Sequence, residues 1–261
     1  MPINYNMENF ISFANNLADE SEKIIMNYFR KSMNTESKQD NSPVTVADKK
    51  SEEKIRMLIK NEYPSHGIIG EEYERVNIKS EFTWVIDPID GTRSFVAGHK
   101  DFGTLIALLY KKEPILGIIN CPAHNERWVG RKNHPTTYNG NIVKTSKVNK
   151  IEDSYLFTSG LYLEDKNFRE GMENIIKQTK FHRFGGDCYM YGMVTMGLID
   201  IVIEDTLKIW DYMALIPVIQ GAGGIVTDKF NKSITYESQG SLIVSANKEL
   251  HSEIMKILTR N

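Results

Sequence analysis

Apolar side chains near the start of the chain recur three and four positions apart, which is the spacing of one buried helix face. They are Phe10, Phe13, Ala14, Leu17, Ile24, Ile25 and Tyr28. A second stripe with Ile55, Leu58 and Ile59 follows Pro43 and ends where Tyr63 precedes a proline, a position biased away from helix. The pattern predicts two amphipathic helices, with Asp48 near the start of the second.

From residue 67 the period changes, and short apolar runs alternate with turn residues. Lys111, Lys112 and Glu113 separate two of these runs and are the expected hairpin connection. Runs of this length and composition predict one largely antiparallel sheet. They read GIIG, TWVID, TLIALLY, PILGIIN and ERWVGRK.

The second half of the chain alternates strand-like and helix-like segments, an order typical of an α/β arrangement. The expected helices lie around 168–176, 189–196, 211–220 and 248–258. The expected strands read YLFTS, FHRFGG, IDIVIE, GIVTD and SLIVSA. Without an internal repeat or a flexible linker, we expect a single domain over residues 1–261 with two lobes, 1–145 and 146–261.

The overall charge argues against two classes of partner. With 261 residues and a net charge of −2, and without a long basic or acidic block, nucleic acid and an anionic membrane surface are poor candidates as main partner. A small solute is the better expectation.

Three sequence features favour a cytoplasmic protein. There is no apolar run of the ~18 residues that a membrane span needs, and the first residues do not resemble a signal peptide. Cys121 and Cys188 form neither a CxxC nor a Cys/His spacing, so neither a disulfide framework nor a zinc site is indicated.

The stretch WVIDPIDGTRSF carries the clearest chemistry. Asp87 follows an apolar strand, at the end where α/β proteins place ligand groups, and Pro88 presets a bend that aims Asp90 at the same point. Gly91 leaves room for a ligand, and Thr92 opens a helix whose free N–H groups favour an anion. Neighbouring carboxylates repel unless neutralised, and Mg²⁺ accepts carboxylate and phosphate oxygens. An ordinary turn in which Asp90 caps the helix is the alternative.

Other acidic residues strengthen the cation hypothesis. Glu71 and Glu72 follow the short run GIIG, and Asp211 follows Trp210 at an expected helix start. Each has an ordinary explanation, since Glu72 is expected to be solvated and Asp211 would serve as an N-cap. Acids at several element ends together favour a shared cation site.

Four motifs resemble the inositol monophosphatase family over nearly the whole chain: SPVTVAD, GEE, WVIDPIDGTRSF and WDYMALIPVIQGAGGIVTD. The resemblance implies an α+β/α/β fold, the layered αβαβα sandwich of the inositol monophosphatase and fructose-1,6-bisphosphatase type. It implies a metal-binding first lobe, a second lobe that sets specificity, and dependence on two or three Mg²⁺ ions. Many members are sensitive to lithium, and members commonly form homodimers.

The resemblance also implies a set of metal ligands. Glu71, Asp87 and the backbone carbonyl of Ile89 match the ligands of one ion. Asp87, Asp90 and Asp211 match those of a second, so that Asp87 bridges the two ions.

The same motifs imply the catalytic groups. Asp48 and the Thr92 hydroxyl match the family's water-activating pair, with Glu71 beside them, and the N–H groups of Gly91 and Thr92 match the phosphate site. Without the motif, Asp48 would be read as a solvated residue near a helix start. Lys38 resembles a lysine that precedes this motif in some members.

Two features resemble the histidinol-phosphate phosphatase branch of the family: Arg93 after the threonine, and the segment FGGDCYMYGMVTMGLIDIVIED. Histidinol phosphate carries an amine and an imidazole, which call for carboxylate acceptors. Asp187 and Glu204, together with Gly186 and Arg93, are the expected substrate contacts. Their ordinary roles would be a helix cap for Asp187, a strand end for Glu204 and a surface charge for Arg93.

A haloacid-dehalogenase-like phosphatase, which also has a DGT motif, is excluded: its aspartates are two positions apart, whereas Asp87 and Asp90 are three apart with a proline between them. Other functions stay open. Inositol-1-phosphate phosphatase and sugar or nucleotide bisphosphatase would use the same catalytic frame. A phosphate-binding protein without activity is an alternative from a different class.

Overall fold

The structure, a computed structural model, describes residues 6–31, 35–37, 43–161 and 165–259, so Lys38 lies outside the described residues. The first half contains helix α1 (Met7–Tyr28), strands β1 (Thr35–Ser37) and β2 (Pro43–Thr45), helix α2 (Val46–Glu62), strands β3 (Gly67–Gly70) and β4 (Phe82–Asp90), helix α3 (Thr92–Val96), and strands β5 (Gly103–Tyr110), β6 (Glu113–Cys121), β7 (Glu126–Arg131), β8 (Thr137–Tyr138) and β9 (Asn141–Ile142).

The second half begins with a 3-10 turn (Ile151–Asp153). It continues with strand β10 (Tyr155–Thr158), helix α4 (Lys166–Gln178), strand β11 (Phe181–Phe184), helix α5 (Asp187–Thr195), strand β12 (Ile201–Glu204), helices α6 (Ile209–Tyr212) and α7 (Leu215–Gly221), strands β13 (Ile225–Thr227) and β14 (Leu242–Ser245), and helix α8 (Lys248–Leu258).

The strands form two main sheets and a small β1–β2 ribbon. The larger sheet has the order β3-β4-β5-β6-β7-β8-β9, and only its β3–β4 pair is parallel. The expectation of one largely antiparallel sheet is therefore confirmed. The smaller sheet has the order β11-β10-β12-β14-β13, with parallel pairs on both sides of β10.

The predicted hairpin after β5 is a two-residue turn. Lys111 and Lys112 have φ of 50° and 69°, and Glu113 already begins β6. Positive φ at both central residues is typical of the type I′ turn, whose twist matches that of the flanking strands.

Buried side chains divide the molecule into five layers. One face of the large sheet packs on α1 and α2, and its other face packs on α5 and α7. Those two helices also contact the small sheet, whose far face packs on α4 and α8. Ile201 and Ile203 face the outer helices while Val202 faces inward, as the two-residue period of a strand requires. The layered αβαβα sandwich expected from the sequence is confirmed.

The predicted helix over 211–220 is wrong in its bounds, because the structure breaks it into α6 and α7. Pro217 explains the break. A proline inside one continuous helix would lose a hydrogen bond and collide with the carbonyl of Met213, four residues earlier. In α7 it is the third residue, where its missing N–H is not needed.

Helix α5 lies between the two sheets and begins two residues earlier than expected, at Asp187. Because α5 and α7 share one core with both sheets, the single domain with two lobes remains our interpretation. None of the helices in the described ranges combines the length and apolar character needed to cross a membrane.

A buried histidine makes the stability of the fold dependent on pH. In α8, His251 lies between the hydroxyls of Ser245 and Thr227, at 2.6 Å and 3.0 Å from its two ring nitrogens. Burial lowers the pKa of His251 to about 4. A lowered histidine pKa means that stability is complete above the unfolded pKa of about 6.5 and is lost as pH falls toward 4.

We therefore expect wild-type protein to lose about 2 kcal/mol of unfolding free energy between pH 7 and pH 5 through this residue. Urea unfolding of wild type and His251→Gln at both pH values measures it, since other titrating groups cancel in the comparison. Equal losses in the two proteins would contradict the assignment.

Candidate active site

Three aspartates from two elements converge on one point. Asp87 and Asp90 come from β4 and Asp211 from α6, and each offers an oxygen within 4.8 Å of the other two. The first turn of α6 is fixed because Asp211 Oδ2 accepts a hydrogen bond from the Lys208 N–H at 2.6 Å. The N-cap of this short helix is Lys208, not Asp211 as expected. Asp211 is the third helical residue, and its side chain caps the first turn by accepting from the N-cap N–H.

An irregularity in β4 brings Asp87 and Asp90 together. The strand does not end at Asp87 as expected but continues to Asp90, and its pairing with β5 shifts register between the two aspartates. In a regular strand, residues three apart point to opposite faces, so the shift is what lets both carboxylates face one site. Pro88 lies in the shift, where its carbonyl accepts a hydrogen bond from Thr104 Oγ1 at 2.9 Å.

Burial and mutual repulsion make the ionised form of these three carboxylates unfavourable. Burial, reinforced by Glu71 and the other aspartates, raises the pKa of Asp87 well above its usual value. Burial and then Asp187, Asp211 and Glu204 raise the pKa of Asp90 in the same way. Burial also raises the pKa of Asp211 to about 7.

The donor set fits a hard divalent cation. Within the described part of the chain, Asp87 Oδ1 is buried and has no hydrogen-bond partner. A buried carboxylate oxygen without a partner is costly, and the ligands around it are all oxygens, which Mg²⁺ prefers. A cation here would satisfy that oxygen and relieve the repulsion among the three aspartates.

Glu71 and Ile89 lie at the same place. Both line a cavity of about 140 Å³ that also contains the three aspartates, and the Glu71 carboxyl interacts directly with Asp87. The Ile89 carbonyl accepts a hydrogen bond from Thr92 Oγ1 at 2.9 Å and keeps a second lone pair. The structure therefore brings together all five residues that the sequence suggested as metal ligands.

Asp48 is held rigidly beside this cavity. Its Oδ2 accepts hydrogen bonds from the Thr45 N–H (2.8 Å) and hydroxyl (2.6 Å), and Thr45 in turn caps α2. Asp48 Oδ1 lies 3.4 Å from Thr92 Oγ1. Burial raises the pKa of Asp48. Asp48 is thus a buried residue of the site rather than the solvated residue that spacing alone suggested.

Gly91 and Thr92 form the start of α3 next to the aspartates. Gly91 has φ of 80°, and a Cβ atom there would lie 2.8 Å from Asp187 Cγ, so both backbone and packing require glycine. The helix begins at Thr92, as expected. The orphan N–H groups at a helix start are the donors a phosphate needs, although α3 has only five residues.

Two further carboxylates line the cavity from the second lobe. Glu204 ends β12, and its carboxylate accepts hydrogen bonds from the Tyr191 hydroxyl (2.5 Å) and the Ser159 N–H (3.2 Å). Asp187 is the first residue of α5 and accepts one from Ser94 Oγ at 2.5 Å. Burial raises the pKa of both carboxyls.

The other two expected substrate residues lie outside the cavity lining. Gly186, with φ of 128°, is the N-cap of α5 and sets the position of Asp187. Arg93 is exposed on α3, where its charge lowers the pKa of Asp187 against the larger effect of burial. In this structure both residues are linked to the cavity through Asp187.

Sequence reasoning missed the groups that hold these carboxylates, namely Ser94, Ser159 and Tyr191. In the sequence Tyr191 follows the helical period of its neighbours, a pattern typical of core packing. Its position four residues after Asp187, on the same helix face, was the available signal. The two serines carried no local signal, since Ser94 is 93 residues away from its partner.

Comparison with known proteins finds relatives that are named as phosphatases. The sequence model described as "Inositol monophosphatase family" matches residues 6–261. The chain is 38% identical over 261 residues to the bifunctional phosphatase IMPL2, chloroplastic, of Arabidopsis thaliana, covering 97% of this chain and 75% of the relative. It is 33% identical to the histidinol-phosphatase of Chlorobaculum parvum, covering 92% and 93% of the two chains. The solved structure of an inositol monophosphatase from Zymomonas mobilis is similar with a TM-score of 0.88 and 38% identity, covering 97% of this chain and 99% of that one.

Proposed function

The chain belongs to the inositol monophosphatase family, and on that premise we propose that this phosphatase hydrolyses L-histidinol phosphate to L-histidinol and phosphate with Mg²⁺. The observation that carries the proposal is one small cavity lined by two groups of carboxylates. Asp87, Asp90 and Asp211 form a cluster suited to cations, while Asp187 and Glu204 keep lone pairs beyond those used by Ser94, Ser159 and Tyr191 and can accept from a cationic substrate.

We propose two or three Mg²⁺ ions, held by Glu71, Asp87, the carbonyl of Ile89, Asp90 and Asp211. When bound, the ions supply a water of lowered pKa and stabilise the departing oxygen of the ester. The protein itself contributes a rigid set of ligands on strand and helix ends, which is the placement that gives the most precise sites.

Asp48 and Thr92 would orient and deprotonate the attacking water, with Glu71 next to them. Burial makes the Asp48 carboxylate a stronger base than an exposed aspartate, because it raises the pKa. The Thr92 hydroxyl has a single proton and lies 2.9 Å from the Ile89 carbonyl and 3.4 Å from Asp48 Oδ1. For this role the proton would turn from the carbonyl to Asp48 Oδ1, and the hydroxyl oxygen would accept a hydrogen bond from the water. The N–H groups of Gly91 and Thr92 would hold the phosphate oxygens.

Substrate recognition would rest on Asp187 and Glu204. Both are anchored by hydroxyl or N–H donors, so each can present a fixed oxygen to the amine or the imidazole of histidinol phosphate. Arg93 and Gly186 would contribute by placing and tuning Asp187. The similarity to a named histidinol-phosphatase over most of both chains supports the same substrate.

Inositol 1-phosphate is the second candidate, because the chain resembles an inositol monophosphatase structure over 97% of its length at 38% identity. Sugar and nucleotide bisphosphates would use the same metal cluster. Histidinol phosphate and inositol 1-phosphate differ in the groups that the second lobe must recognise. The first carries cationic groups and the second carries hydroxyl groups.

The test is phosphate release with Mg²⁺ from L-histidinol phosphate, inositol 1-phosphate, fructose 1,6-bisphosphate and adenosine 3′,5′-bisphosphate at equal concentration. We expect a preference for histidinol phosphate, and roughly a tenfold or larger rise in its KM in Glu204→Gln, as for loss of a hydrogen bond to a charged group. The same variant assayed on inositol 1-phosphate is the internal control. A preference for another ester overturns the substrate assignment, and no turnover on any ester favours a binding protein.

We further propose a homodimer formed through β11. This strand is the edge of the small sheet, and it exposes Phe181 (49%) and Phe184 (48%). A free strand edge with apolar side chains can pair with the same strand of a second copy across a twofold axis. Light scattering should give a dimer for wild type and a monomer for Phe181→Glu, whereas a wild-type monomer would contradict the proposal.

A cytoplasmic location is also proposed. Cys121 and Cys188 are both free thiols in the core, as in proteins of reducing compartments. Fractionation of source cells followed by immunodetection tests the location, and recovery in an oxidising compartment would contradict it.

A further inference from the structure

A second buried acid lies on α2, one turn beyond Asp48. Glu52 is completely buried, and an ionised carboxylate in that position must be paired to be tolerated. Its Oε1 accepts a hydrogen bond from Arg56 Nε at 2.7 Å, so the two side chains form a buried ion pair along the helix. The catalytic scheme above uses neither residue.

Within the described part of the chain, the other hydrogen-bond partners of this ion pair lie in residues 72–74, directly after Glu71. Glu52 accepts hydrogen bonds from the N–H groups of Glu72 (2.8 Å) and Tyr73 (3.3 Å). The Arg56 guanidinium donates to the carbonyls of Tyr73 (2.9 Å) and Glu74 (3.0 Å). Glu72, expected to be solvated, is partly exposed, and its backbone is anchored by Glu52.

The residue before Glu71 is also fixed by Glu52. A Cβ atom at Gly70 would lie 2.0 Å from Glu52 Oε1, so the carboxylate packs directly on the backbone at the end of β3. Glu71 is therefore restrained on both sides, by packing at Gly70 and by hydrogen bonds from residue 72 onward. Val76 pairs back with Ile68 of β3 through two backbone hydrogen bonds and closes this segment, but residues 71–75 themselves belong to no strand or bridge.

We propose that the Glu52–Arg56 pair is the positioning element that holds Glu71 in the geometry needed to bind Mg²⁺. The inference rests on the proposed function, since it takes Glu71 to be a metal ligand. A misplacement of about 1 Å in a ligand shell costs much of its function, and groups that hold metal ligands typically account for 10–100-fold in metal affinity. Glu52 and Arg56 thus act through Glu71 and touch neither substrate nor metal.

The test variant is Glu52→Gln, which keeps the shape of the side chain but offers one acceptor oxygen instead of two. Its amide N–H₂ group then faces either the Arg56 guanidinium or the N–H groups of residues 72 and 73, all of which are donors. Arg56→Lys is the second variant, because it keeps the charge beside Glu52 and loses the fork that reaches two carbonyls. It is the milder change and keeps the test available if Glu52→Gln does not fold.

The readout is Mg²⁺ affinity of EDTA-stripped protein, measured by calorimetric titration with MgCl₂ at a temperature where every variant is folded. We expect a 10–100-fold loss for Glu52→Gln and about a 3–10-fold loss for Arg56→Lys. Ile254→Ala, a cavity-forming change in the core between the small sheet and α8, is the control for lost stability and should bind Mg²⁺ as wild type does.

The possible results separate the two claims. Mg²⁺ affinity within twofold of wild type in a folded Glu52→Gln, or in Arg56→Lys if the first variant does not fold, overturns the positioning role. An equal loss of affinity in Ile254→Ala also overturns it, because general destabilisation would then explain the effect. Wild-type protein that neither binds Mg²⁺ nor releases phosphate overturns the proposed function, and this inference with it.

Discussion

Replacing Asp90 with asparagine should lower kcat/KM about a thousandfold, equivalent to ~4 kcal/mol of transition-state stabilisation, while the protein stays folded. The expected loss is large because Asp90 supplies one of three carboxylates that converge within 4.8 Å. An amide oxygen binds Mg²⁺ more weakly than a carboxylate does, and the remaining ligands cannot replace the lost charge.

The fold should tolerate this change for a physical reason. Asp90 Oδ2 accepts a hydrogen bond from the Cys188 N–H at 2.5 Å, and an asparagine oxygen can accept the same bond. Without metal, the charge at this position is unfavourable, since burial and neighbouring acids raise the pKa of Asp90. Removing the charge therefore relieves repulsion, as is common when active-site groups are replaced.

Two measurements check this prediction: phosphate release at saturating Mg²⁺ and thermal unfolding in EDTA. We expect Asp90→Asn to unfold at the wild-type temperature or above it. Asp19→Asn, the same chemical change at an exposed position on α1, is the control and should keep activity within twofold. Activity of Asp90→Asn within tenfold of wild type would show that the cluster is not the catalytic metal site.

Thr92→Val should reduce kcat by a hundredfold or more, which is the usual contribution of a positioned proton-transfer group. Valine has nearly the same shape as threonine, so the helix start is preserved while the hydroxyl is lost. That hydroxyl lies 2.9 Å from the Ile89 carbonyl and 3.4 Å from Asp48 Oδ1. The change therefore removes the link between the buried base and the attacking water.

Thr92→Ser is the matched control, because it restores the hydroxyl without the methyl group. We expect the serine variant to retain activity within about tenfold and both variants to bind Mg²⁺ with affinities close to wild type, since Thr92 contributes no metal ligand in the proposed site. If serine and valine are equally inactive, or if valine is fully active, the hydroxyl does not have this role.

The carboxylate cluster could be predicted from the sequence because its signals are local. Asp87, Pro88 and Asp90 lie within four residues. The proline indicates an irregularity in the strand, and this irregularity lets both carboxylates face one site. Asp211 and Glu71 each follow a short apolar run, which marks the end of an element. Their convergence followed from the order of the motifs and the family resemblance, not from spacing.

The groups that hold the site together could not be predicted in the same way. Glu52 fits the polar face of an amphipathic helix, where a charged residue needs no explanation, and only the fold shows that this face is covered by residues 70–74. The Asp90 to Cys188 contact joins residues 98 positions apart. Such contacts depend on how the two lobes pack, which periodicity does not specify.

The helix break before α7 is a different case, because its signal was present in the sequence. Pro217 lies well inside the expected helix over 211–220, where a proline is not tolerated. The apolar period alone favoured one long helix. A prediction that weighted Pro217 above the spacing of apolar residues would have divided this segment into two helices. Asp211 would then have been placed in the short first helix.

The most direct test of the central claim is phosphate release from L-histidinol phosphate by protein that has been stripped with EDTA and then titrated with Mg²⁺. We expect no release above background without metal, and activity that rises with Mg²⁺ and saturates as the carboxylate cluster fills. Release that persists undiminished in EDTA would contradict a metal-dependent mechanism built on Asp87, Asp90 and Asp211.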